Sequence, residues 1–157
     1  MMEMLSSLQA SPFSVWVREA PTVWAYPTIL TLHTIGLGML VGLNAAVDLR
    51  LLGVGRQIPL ATLEKFFPAM WIGFWVNAVT GFMLFAADPI TKGTTVLFMA
   101  KLGLVAVGVV LIVVLRRAVY GAANRPPVVS RFAKNCAAAS LFVWVTATAA
   151  GRLMAYW

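Results

Sequence analysis

The chain has 157 residues, of which 61% are hydrophobic and only 11% charged, with a formal net charge of +7. That is one domain's worth of sequence and too apolar for a water-soluble globule, so it reads as a single integral membrane domain over 1–157. The bases gather in loops beside apolar segments, which points to membrane topology and away from nucleic acid.

In chain order, "MMEMLSSLQASP" carries an acid in place of a basic n-region and has too short an apolar core for a cleavable signal peptide. The first span is therefore expected to persist in the mature protein. In "SPFSVWVREAP", Ser11 is placed to cap a helix and Pro12 to open it, with Phe13, Trp16 and Val17 presented to the interface. A short interfacial helix over about 12–19 follows. Four apolar stretches then meet the length of about 20 residues needed to cross a hydrocarbon core. They cover about 24–46, 66–87, 94–115 and 136–154.

Span one is expected to run on through "AAVDLRLLG" and stop at Gly53 and Gly55, and Thr62 is a plausible cap for span two. "ADPITKG" is read as a tight turn, and the stretch from Arg116 to Lys134, with Pro126 and Pro127, as a basic connector. Short connections favour an all-α, up-down four-helix bundle.

Arg50, Arg56, Lys65, Arg116, Arg117, Arg125, Arg131 and Lys134 flank loops one and three, against Arg18, Lys92 and Arg152 on the other side. The bias predicts a bacterial inner-membrane protein with those loops in the cytoplasm and both termini on the periplasmic side. Lys101 belongs to neither set, because it lies inside span three.

Ionisable groups at membrane depth are costly, so each is a functional candidate by default. At a rise of about 1.5 Å per residue, His33, the only histidine, falls roughly 14 Å and Lys101 roughly 10 Å below the outer surface. Arg152 sits in the last turns of span four on the same side. Tyr26, His33, Leu40 and Asn44 share one stripe of span one; Gly73, Asn77 and Thr80 form another on span two; Thr146, Thr148 and Arg152 mark span four. These stripes are expected to face the interior. Gly38 and Gly42 form a GxxxG and span four is rich in alanine, both signs of close helix contact. The simplest role for a lone membrane histidine is a hydrogen bond to a neighbouring helix, and for Arg152 an interfacial anchor.

The acids Glu3, Glu19, Asp48, Glu64 and Asp88 all fall outside the spans or at their ends, with Asp48 and Arg50 expected to satisfy the interface. No carboxylate pair or nucleophile and base can be read, which argues against hydrolase or transferase chemistry. Cys136 stands alone without a CxxC, so packing is its expected role.

Imidazole beside small residues in a membrane bundle suits b-type haem, with a sixth ligand left open. "LHTIGLGMLVG" and "FMAKLGLVAVGVVLIVV" resemble segments of the CopD-like and HemJ-like membrane families, and "DLRLLG" is similar to a stretch of small bacterial membrane proteins. The resemblance implies a redox or electron-transfer role with His33 as axial ligand of haem b and Lys101 as a second functional residue. Arg152, Tyr26 and Asn77 complete the expected cofactor surroundings. A quinone or an outer-face redox protein would be the partner, and a homo-oligomer or larger complex is compatible. Two other readings stay open: a non-catalytic membrane subunit, and a copper or small-solute transporter, disfavoured by the absence of an intramembrane acid. Methionines 39, 70, 83, 99 and 154 lack the clustering of a copper path.

Overall fold

A computed structural model of the chain describes residues 2–121 and 127–154. The expectations attached to Arg125, Pro126 and Trp157 lie outside the described residues. The elements are α1 (Met2–Gln9), α2 (Pro12–Glu19), α3 (Tyr26–Leu52), α4 (Leu60–Glu64), α5 (Phe66–Ala87), α6 (Pro89–Thr94), α7 (Val96–Tyr120) and α8 (Arg131–Leu153). The protein is an all-α, multi-pass membrane protein whose four long apolar helices are α3, α4 with α5, α7 and α8.

Local signals explain most boundaries. Ser11 accepts a hydrogen bond from the Ser14 amide at 3.2 Å, opening α2 as expected. Val17 turns inward at 1% exposure, and Arg18 donates to the Ala87 carbonyl at 3.1 Å, closing the end of α5. The helix α1 was not foreseen; the Ser14 hydroxyl donates to the Leu8 carbonyl in its last turn at 2.6 Å. Gly53 adopts φ 108° after α3, a left-handed conformation that favours glycine, and ends the span there.

Three boundaries differ from expectation. Pro59 takes the N-cap position of α4, so Thr62 lies inside that helix and caps nothing. α7 continues five residues past Leu115, and α8 starts at Arg131, where Ser130 accepts from the Ala133 amide at 3.1 Å. The basic connector is thus shorter than the sequence suggested. "ADPITKG" folds as the helical turn α6.

The bundle is tightest between α3 and α5, where Gly36 and Gly73 oppose each other. A Cβ on Gly36 would lie 2.8 Å from the Asn77 amide nitrogen, and one on Gly73 2.9 Å from the Gly36 carbonyl. α8 packs on both α3 and α7, whereas α5 and α7 barely approach along their backbones. Aromatic side chains bridge that wider gap: Phe67 and Tyr120 meet edge to face at 5.6 Å, and Phe85 stacks on Phe98 at 5.1 Å. We call the end carrying Arg50, Lys65 and Arg116 the basic end; α2 and α6 mark the far end.

Candidate functional site

The structure separates the interior polar residues into two groups. The first lies toward the far end, between α3 and α5. His33 Nδ1 stands 3.1 Å from both the Asn77 carbonyl and Thr80 Oγ1. Because a carbonyl only accepts, and the Thr80 hydroxyl donates to Val76 at 2.6 Å, Nδ1 carries the proton and donates. The Asn77 amide donates to the His33 carbonyl at 2.9 Å and stands 3.4 Å from Nε2. Gly81 makes room for the ring, since a Cβ there would lie 3.1 Å from Cε1. His33, Asn77 and Thr80 are therefore brought together, from the two stripes that the sequence placed at comparable depth.

The other far-end candidates stand apart from this contact. Lys101 stretches along α8, with Nζ 3.2 Å from where a Gly151 Cβ would be, within electrostatic reach of His33 and Lys92. Tyr26 is 43% exposed and Arg152 is also exposed, so the inward reading fails for both. Each sits at a helix end. Lys92 donates to the Leu84 carbonyl at 2.7 Å; burial lowers its pKa from the ordinary lysine value, opposed by the nearby Asp88.

The second group lies toward the basic end, between α3 and α8. Asn44 Nδ2 donates to Asp48 Oδ2 at 2.6 Å and to Ser140 Oγ at 2.9 Å. Asp48 is 0% exposed, and the only ion pair among the described residues is Arg18 with Glu19 at 2.8 Å. The sequence reading placed Asp48 at the interface with Arg50, and this is corrected. Arg50 turns outward, donating to the Ile58 and Arg56 carbonyls at 2.7 and 3.0 Å, while Asp48 turns in, about one turn short of the end of α3. The signal was present: Leu40, Asn44 and Asp48 follow one another at helical spacing on the stripe that holds His33.

This second group is incompletely bonded: Asp48 Oδ1 is buried without a hydrogen-bond partner among the described residues, as are Trp144 Nε1 and Thr148 Oγ1 farther along α8 toward the far end. Ser140, Trp144 and Thr148 follow each other on α8 at one-turn spacing, about 6 Å apart. Trp144 fills the notch left by Gly108, where a Cβ would lie 2.7 Å from its ring. Gly38 and Gly42, by contrast, meet nothing within 4 Å, so the expected close contact in this chain is made by Gly36 and Gly73 instead.

No family model, curated protein or solved structure matches the chain. Among the described residues no three metal-ligating side chains of the His, Cys, Asp and Glu types cluster. As surroundings for haem, His33 fits an iron ligand, because a donated Nδ1–H leaves the Nε2 lone pair as the metal-binding one. Tyr26 and Arg152 do not fit, since they do not converge on it.

Proposed function

We propose that the protein moves protons through the bilayer as part of small-solute transport, with Asp48 as the proton-binding group. One observation carries this: among the described residues, the buried Asp48 carboxyl makes no ion pair and one of its oxygens has no hydrogen-bond partner. An isolated carboxylate in such a place bears a large desolvation cost, so the site suits a carboxyl that takes up and releases a proton. Asn44, itself held by Ser140, donates to Oδ2, leaving Oδ1 to exchange the proton. The unpartnered Trp144 and Thr148 groups are where buried waters bind and extend a path along α8 toward Lys101. The objection that no intramembrane acid exists is removed by the burial of Asp48. The charge bias of the loops supports an orientation with the basic end in the cytoplasm of a bacterial cell and the termini outside.

The test is proton flux into liposomes holding the purified chain, driven by a potassium diffusion potential and followed with a pH-sensitive dye. Flux above protein-free vesicles, abolished by Asp48→Asn, supports the proposal. Wild-type protein no leakier than empty vesicles overturns it.

The committed Nδ1–H of His33 favours a second reading, the redox one implied by the CopD-like and HemJ-like resemblance. His33 would hold the iron of haem b, with Lys101 the nearest cation for a propionate, and Asn77 would have to yield Nε2. Bound haem supplies one-electron transfer, with a quinone or outer-face protein as partner. Purified protein with a Soret band that His33→Ala removes supports this reading; a colourless protein from haem-replete cells rules it out.

A further inference from the structure

The loose α5–α7 side of the bundle holds a feature that neither reading uses. At the basic end a cavity of ≈ 320 Å³ opens between the two helices, lined by Glu64, Trp71, Ile112, Arg116, Arg117 and Tyr120. Arg116 is held in place with its guanidinium 5.8 Å above the Phe67 ring, and the Tyr120 hydroxyl donates to the Leu60 carbonyl at 3.0 Å. Trp71 and Ile112 also border a shallow apolar cleft with Phe74 and Val109, which runs toward mid-bundle and is closed on its inner side by Leu40 and Met70, with no interior room for even a water. The cavity is therefore cationic at the mouth and greasy within, with two arginines against one glutamate.

We propose that this groove binds an anionic glycerophospholipid of the adjoining leaflet. Its phosphate sits between Arg116 and Arg117 and an acyl chain runs in the bilayer along the apolar surface of Trp71 and Val109 outside the cleft. Charge and shape together select this occupant. Arginine forks pair with phosphate oxygens through charge-assisted bonds, and basic pockets between spans hold acidic headgroups. The volume is at the lower end of ligand pockets, about 300–1,000 Å³, enough for a headgroup while the chains stay in the bilayer. A free anion has no use for the apolar surface, and a second copy of the chain would set like-charged rims against each other.

The test uses the full chain, stripped of lipid in detergent and titrated with phosphatidylglycerol, phosphatidylcholine or inorganic phosphate, reading thermal midpoint and adducts by native mass spectrometry. Phosphatidylglycerol should raise the midpoint and remain bound, and the other two should do neither. Joint Arg116→Gln and Arg117→Gln should weaken phosphatidylglycerol binding about tenfold or more. Val109→Trp, which changes the apolar surface the chain lies on and leaves both arginines, should weaken it as well, while Lys134→Gln should not. Equal binding of phosphatidylcholine, full reproduction of the shift by inorganic phosphate, or a dimer that shields Arg116 and Arg117 from lipid would each overturn the proposal. The wild-type lipid comparison stands even if a variant fails to fold.

Discussion

The two polar groups on α3 make an instructive pair. Around His33 nearly every valence is used: imidazole, amide and hydroxyl bond across the glycine-tight α3–α5 contact. Asp48 is as well buried, yet one of its carboxyl oxygens is left over, and so are an indole N–H and a threonine hydroxyl one and two turns beyond Ser140 on α8. Saturated polar contacts between spans hold helices together, whereas buried groups with spare capacity call for a proton, a water or an ion. Depth in the membrane therefore does not distinguish lock from site; the remaining hydrogen-bond capacity does.

The largest expected effect comes from disturbing the tight side. Gly36→Ala and Gly73→Ala each push a methyl onto the facing backbone, so each should cost about 1–3 kcal/mol in detergent unfolding. Gly42→Ala, with nothing within 4 Å, should be neutral, and a comparable loss there would break the comparison. On the Asp48 side, Ser140→Ala removes an acceptor of the buried Asn44 amide and should cost about 1–3 kcal/mol while reducing proton flux. Thr80→Val removes one of two acceptors at Nδ1, so a smaller loss of about 0.6 kcal/mol is expected, with flux unchanged.

The smallest effect is a pH dependence. Burial lowers Lys92 from its ordinary value of 10.5, so between the folded and unfolded values the unfolded chain binds more protons. Stability contributed by Lys92 therefore increases as pH rises through that window toward 10.5. Lys92→Met should flatten the rise in unfolding midpoint; an unchanged slope would assign it to another group.

Much of the fold was legible because its causes are local. Apolar length predicted the four spans, Ser11 marked the start of α2 through capping, and Gly53 the end of the first span through a left-handed turn. The His33, Asn77 and Thr80 contact was legible as two stripes at matching depth. What misled was adjacency: Asp48 was placed at the interface together with Arg50, from which only Leu49 separates it, whereas on a helix residues two positions apart turn to different sides. Gly36 and Gly73 were hidden for a different reason, since a contact between single glycines on two helices has no spacing motif in either. Tyr26 and Arg152 failed because a helical wheel ignores how exposed the ends of a bundle are.

The most direct measurement is proton flux compared side by side in liposomes of wild type, Asp48→Asn and His33→Gln, each verified as folded by its unfolding midpoint. The account predicts wild-type flux near unchanged in His33→Gln and reduced to the protein-free level in Asp48→Asn. Wild-type flux in Asp48→Asn, or its abolition by His33→Gln alone, would contradict it.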